Sequence, residues 1–445
     1  VEKEHPDDDG INADASGDAV IEASPDPVLT DADTPSLAPE DSVLAAAAAD
    51  ADDATAPADA TAPDAATADA RHPRGRRVWV AWFVAVGAIV LVAAVAAWIH
   101  VSANRSFDAA AADMSAASAE VEEVRAALDG PTDDATDAVE ASLLIVGAAA
   151  DDMVDAGART GLSDAAAAVS TVMATIGDHH AVEVPAVPTK PFWTWELLET
   201  APRMNEAAAQ LAELSADTRS AGDELVDAGA ALADAARALY ASVPAAAAAL
   251  EAANVSGRSI VVLDFREAAA AAAQQTRLGS GAVDAFEDYA RKLEILRASS
   301  QSELAEKAGP LLGTRLEIEA FARSIAGGVV LDFDWAPIVN GVGGADGMAG
   351  TATWAVVRGG FSTITLSNSV AENRPSADAR ALVAHEVGHA ITSKCSEMFD
   401  SEDRTANEQW ATAWAIGMGF SAQGSGVQAY GYPPTTLIET SRSCR

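Results

Sequence analysis

Residues 78–100 carry no Asp, Glu, Lys or Arg. Coiled as a helix, this run of about 23 residues is roughly 34 Å long, enough to cross a bilayer. A membrane span divides a chain into two compartments, so it constrains everything placed on either side of it. Trp79, Trp82 and Phe83 lie near one end of the run and Trp98 near the other, where amphipathic rings favour the membrane–water interface. Arg71, Arg74, Arg76 and Arg77 precede the run, and only Arg105 follows closely. The positive-inside bias then puts the N-terminal part in the cytoplasm and the C-terminal part outside. The run begins too far along the chain, and is too long, for an ordinary cleaved signal peptide. The expectation is a single-pass cell-membrane protein with a signal anchor over 78–101.

The two flanks differ in kind. Residues 1–75 form an acidic, low-complexity tail, with 19 Asp and Glu against one Lys in the first 70 positions. So little apolar surface cannot offset chain entropy, and the tail is expected to be a disordered cytoplasmic segment. The whole chain carries a formal charge of −39, which repels nucleic acid and excludes it as a partner. Abundant Ala, Asp and Val with little Lys points to a GC-rich bacterial genome. Both cysteines, Cys395 and Cys444, fall in the exterior part. There a disulfide closing a loop of about 50 residues would stabilise by roughly 3–4 kcal/mol; two free thiols are the alternative.

Residues 104–325 read as an Ala-rich helical ectodomain. Met204, Leu211, Thr218, Leu225, Leu232 and Leu239 recur every seven residues, with Ala207, Leu214, Ala221, Ala228 and Ala235 three later. This heptad pattern fits an intramolecular bundle or a coiled coil that makes a homodimer. Ala-rich stretches near 107–128, 137–158 and 162–177 are the expected partner helices. Pro185, Pro188 and Pro191, followed by Trp193 and Trp195, mark a break. His179 and His180 read as exposed residues at a helix C-terminus.

Chemistry concentrates in residues 326–445. His385-Glu386-Val387-Gly388-His389 is an H-E-x-x-H sequence. Two histidines four apart share one face of a helix and reach a single Zn²⁺, while the Glu between them can take a proton from a metal-bound water. Ser376, after Pro375, is the expected N-cap of that helix. Glu408 lies 18 residues beyond His389, far enough for a turn and an antiparallel return. It is the expected third ligand, with Glu402 or Asp403 as alternatives, in a second helix that Ser401 would cap. Two His and one Glu leave the fourth position open, as catalytic rather than structural zinc sites do. Residues 351–357 and 361–366 read as strands joined by Gly359-Gly360, and 329–333 as a third. A strand edge beside the metal would suit an extended peptide. Tyr430 and Tyr432 are candidate donors to an oxyanion, of which we assign Tyr432. Trp410 and Trp414 are expected in the core.

Strand, H-E-x-x-H helix and downstream Glu helix resemble the zincin fold of metallopeptidases, specifically the gluzincin type with H-E-x-x-H-x18-E spacing. Glu408-x-x-Ala411-Thr412-x-Trp414-Ala415 is similar to the E-x-x-A-[DN]-x-[FW]-A helix of small bacterial metallopeptidases. Thr412 departs from that pattern, whose Asp or Asn often orients a metal-binding His. The resemblance covers about residues 325–445. It implies a zinc-dependent metallopeptidase acting on a peptide or protein substrate, with His385, His389 and Glu408 on Zn²⁺ and Glu386 as general base. The expected fold class is mainly α with a small α+β C-terminal domain. Two other classes stay open: a non-catalytic cell-envelope interaction protein with a structural or vestigial metal site, and a tethered regulator whose acidic tail carries the output.

Overall fold

The computed structural model describes residues 76–150 and 152–445 of the chain, with side chains from 79 onward. The acidic tail expected over 1–75 lies outside the described residues. The described part is mainly helical, with one small sheet near the C-terminal end.

Helix α1 (Arg76–Ala148) contains the apolar run and continues outward without a break. Its first part is exposed all round, and among the described residues it is the one helix long and apolar enough to cross a membrane. Beyond it a stripe of Ala103, Phe107, Ala110, Met114, Ala117 and Val121 is buried at three- and four-residue spacing. The stretches expected as separate helices near 107–128 and 137–158 are joined in α1 as far as Ala148, through Gly130 and Pro131. Pro131 faces solvent, and buried residues on either side of it, such as Val124 and Ile145, keep packing in the same bundle. Tertiary burial thus outweighs the local cost of a proline.

Asp155 caps α2 (Ala156–Ala181) by accepting from the Ala158 amide at 2.9 Å. Residues 182–193 run on along α1 toward the apolar run as a non-helical segment that holds the three prolines, with Arg125 on the Val182 carbonyl and Lys190 on Asp108. Helix α3 (Thr194–Ala253) follows. Its heptad residues Met204, Leu211, Thr218, Leu225, Leu232 and Leu239 are all buried. They pack within the chain: Met204 on the Ala103–Met114 stripe, Leu211 on Ala117 and Val121, and the later ones on α2 and the end of α1. A Cβ on Gly222 would come within 2.8 Å of Leu128, so α1 and α3 approach closely there. Helices α4 (Ser259–Ala273) and α5 (Ser280–Glu306) close this core with Phe265, Phe286 and Tyr289.

A second core follows. Helix α6 (Leu312–Ile325) gives it Ile318 and Ala322, upstream of residue 326. Three strands form the sheet: β1 (Val330–Ala336), β2 (Gly350–Ala355) and β3 (Phe361–Ser367), in the order β1-β3-β2. β2 and β3 pair antiparallel, whereas β1 pairs with β3 in parallel. Leu331, Phe333, Ile364 and Leu366 turn to one face of the sheet, in the alternation a half-buried strand requires. That face packs against α8 (Ala377–Ala390), which follows the short α7 (Asn368–Glu372). Past α8 come α9 (Thr392–Cys395), α10 (Arg404–Gly417), α11 (Val427–Tyr430) and α12 (Thr435–Ser441). Trp410 and Trp414 on α10 are fully buried between α8 and α12.

Polar contacts stitch the two cores together. Asp332 accepts from the Ser259 amide at 2.9 Å at the start of α4, Arg258 reaches Asp334 at 2.7 Å, and Arg358 reaches Asp264 at 2.9 Å. Cys395 and Cys444 form a disulfide with Cα atoms 6.1 Å apart.

Candidate metal centre

Ser376 caps α8, accepting from the Ala379 amide at 3.1 Å, and Asp378 sits in the positive first turn. Helical spacing then sets His385 and His389 one above the other, with Glu386 beside them; all three are buried. Asp403, rather than Ser401, caps α10, accepting from the Ala406 amide at 2.7 Å. The two helices cross closely because Gly388 has no side chain: a Cβ there would lie 2.8 Å from Ala411 Cα. Glu408, one turn before Ala411, is thereby carried beside the two imidazoles.

His385 Nε2 and His389 Nε2 are 3.1 Å apart, and Glu408 Oε2 lies 3.2 Å and 3.3 Å from them. The other nitrogen of each ring is held elsewhere. His385 Nδ1–H donates to the Ser425 carbonyl at 3.1 Å. Asn407 donates its amide to the Ser401 carbonyl at 3.1 Å, which turns its Oδ1 toward His389 Nδ1, 3.0 Å away. With both Nδ1 atoms protonated, both Nε2 lone pairs face one point together with a carboxylate oxygen. Three electron-pair donors so disposed repel one another unless a cation or protons lie between them. Tetrahedral zinc with bonds of about 2.0–2.1 Å sets its ligands about 3.3–3.4 Å apart, so the triangle matches the edge of such a site and the residues fit the ion.

Charge behaves accordingly. With protons rather than an ion between the three groups, burial would raise the Glu408 carboxyl, but hydrogen bonds from the protonated His385 and His389 rings outweigh it and hold Glu408 well below the usual range. Burial likewise disfavours the charged His389 ring, yet the Glu408 hydrogen bond and the Glu386 and Glu408 charges raise it. Glu386 is raised by burial, only partly offset by the two histidines. Its Oε2 is buried without a hydrogen-bond partner.

Two cavities meet at these residues. One, of about 520 Å³, runs past Met348, Ala349, Asp378 and Gln423; the other, of about 340 Å³, runs past Thr351, Trp354, Glu402 and Arg404. His385, Glu386, Gly350 and Tyr430 line both. Edge strand β2 forms one wall. It approaches so closely that a Cβ on Gly350 would meet the Glu386 carboxylate at 2.6 Å. Trp354 stacks on His389, with centroids 6.1 Å apart.

The tyrosine assignment needs correction. Tyr430, not Tyr432, lies at the centre: its ring stacks on His385 with centroids 5.9 Å apart and lines both cavities. Burial, then the Glu408 and Glu386 charges, push its pKa up to about 12. Tyr432 is 71% exposed and lines neither cavity. The cause is Gly431, whose φ of 81° turns the chain away after α11.

No family model, characterised protein or solved structure matches the chain. The site's own geometry therefore carries the functional argument. Sequence reasoning missed Asn407 and Ser425, which pin the two imidazoles. Asn407 precedes Glu408, and that position next to a ligand on the facing helix was the available signal. The Ser425 carbonyl carried none. Thr412, which stands where the resembled pattern has Asp or Asn, donates to the Glu408 carbonyl at 2.8 Å and lies 3.4 Å from His385 Nδ1.

Proposed function

We propose that this protein is a membrane-anchored zinc metallopeptidase of the gluzincin type, hydrolysing peptide bonds on the exterior side. The observation that carries the reading is the triangle of two lone-pair-bearing Nε2 atoms and one carboxylate oxygen beside the unpartnered Glu386 Oε2. Bound zinc supplies Lewis acidity and brings a water's pKa near neutrality.

The chain's own residues divide the remaining work. His385, His389 and Glu408 hold the ion. Glu386 takes the proton from the attacking water and passes it to the leaving amine. Tyr430 stays protonated at neutral pH and donates to the oxyanion that develops on the substrate carbonyl. An extended peptide pairs with the free edge of β2 and lies along the two cavities. The exterior location rests on the span, the arginines before it, and a disulfide of the kind an oxidising compartment preserves.

Elemental analysis of the full chain, purified in detergent, tests the reading. About one zinc per chain is expected for wild type, with affinity lost or sharply weakened in Glu408→Ala, because two imidazoles alone make a poor site. Absence of stoichiometric zinc from wild type would sink the peptidase. With cleavage of a peptide library as the readout, Tyr430→Phe should lower kcat by about 10²–10³-fold, the usual cost of an oxyanion donor. KM should change little, and Tyr432→Phe should behave as wild type. Equal effects of the two substitutions would remove Tyr430 from the mechanism.

A further inference from the structure

Outside the apolar run, the exposed aromatic side chains among the described residues are Phe192, Trp193, Trp195, Tyr430 and Tyr432. The two tyrosines lie at or near the candidate metal centre. The other three form a cluster at the start of α3. Phe192 and Trp193 pack edge-on with centroids 5.2 Å apart, and Trp193 stacks on Trp195 at 4.9 Å. They are 79%, 51% and 60% exposed, which is costly in water for such large apolar rings.

Their height along α1 is fixed by contacts between α1 and the start of α3. His100 Nδ1 lies 2.8 Å from Thr194 Oγ1, and Lys190 reaches Asp108 at 2.7 Å. Leu197 and Ala201 pack on Ala103 and Phe107, and Leu211 packs on Ala117 and Val121. Helix α3 therefore starts at the outer end of the apolar run and travels away from it beside α1. Trp193, next to Thr194, stands near the level of His100, two residues past Trp98, which is itself 69% exposed, and Phe192 lies between that level and the level of Asp108. Composition agrees with this placement. Residues 184–195 hold one Lys and no Asp or Glu, in a chain with 67 acidic residues.

We propose that Phe192, Trp193 and Trp195 seat in the outer headgroup region of the bilayer that α1 crosses. The proline-bearing junction between α2 and α3 is then a second membrane contact. Lipid is the occupant because the patch is continuous with the membrane-spanning surface of α1 and because Trp favours this depth. Spacing a second contact away from the span resists tilting of the bundle, which one helix alone does not.

The test uses the full chain reconstituted into phosphatidylcholine vesicles brominated either near the headgroup or near the bilayer centre. The emission of Trp193 and Trp195 is obtained by subtracting a W193F/W195F variant from wild type. Circular dichroism checks that the variant, altered only at exposed positions, keeps its helix content. Most of the difference emission is expected to be quenched by the shallow bromines and little by the deep ones. Difference emission that neither lipid quenches overturns the proposal, and leaves the patch for a protein partner. The tryptophans that remain in the variant report the span independently. Quenching of Trp98 and its neighbours without quenching of the difference signal therefore separates a failed patch from a failed anchor.

Discussion

Glu386→Gln is expected to retain zinc while peptide hydrolysis falls by about 10²–10⁴-fold, the contribution of a positioned general base. The two readouts separate because Glu386 is not one of the three converging donors: the candidate ligand atoms belong to His385, His389 and Glu408. Gln has the size of Glu, so it fits the narrow space beneath Gly350, where β2 leaves no room for added bulk. It offers the water an amide in place of a basic carboxylate, and its buried NH₂ cannot accept a proton. Metal content and turnover measured on the same preparation check this. Full zinc with unchanged turnover would mean that Glu386 has no part in the chemistry. The centre would then be a structural metal site in an interaction protein. Loss of zinc together with loss of turnover would instead mean that Glu386 supports the ligand cage.

The sequence revealed what local rules determine and missed what depends on distant partners. Ser376, the spacing of His385 and His389, and the apolar positions around them specify α8, because capping and periodicity act within a few residues. The β2–β3 hairpin is read from its glycines for the same reason. That β1 joins β3 in parallel is not readable, since nothing in residues 330–336 shows which strand they pair with. Tyr430 and Tyr432 are nearly equivalent in sequence. The chain turns at Gly431, where φ is 81°, so that Tyr430 rather than Tyr432 faces the candidate ligands. The stretches near 107–128 and 137–158, expected as partner helices, run together as far as Ala148 because burial further along α1 outweighs a solvent-facing proline. The same logic explains Asn407 and Ser425: each acts through a hydrogen bond that exists only once α10 and the following loop have closed over α8.

Breaking the disulfide with Cys395→Ala and Cys444→Ala should cost about 3–4 kcal/mol and lower the midpoint of thermal unfolding by roughly 10 °C or more. The bond spans a sequence separation of 49, and that loop contains Glu408 and Tyr430. It ties the segment after α12 to the end of α9, which directly follows the helix that bears both histidines. Neighbouring contacts depend on the same closure: Trp414 Nε1 donates to the Cys444 carbonyl at 3.2 Å, Arg442 to the Gly417 carbonyl at 2.8 Å, and Lys394 to the Arg445 carbonyl at 2.6 Å. Without the crosslink the unfolded chain gains freedom, and these contacts must form against that entropy. None of the bonded atoms belongs to the candidate metal site, so zinc content well below the new midpoint should match wild type. Melting of the full chain followed by near-ultraviolet circular dichroism, with elemental analysis before heating, tests both halves. An unmoved midpoint would show that the loop is ordered by its packing alone. Zinc lost at low temperature would show instead that α8 and α10 need the bond to bring Glu408 to the histidines.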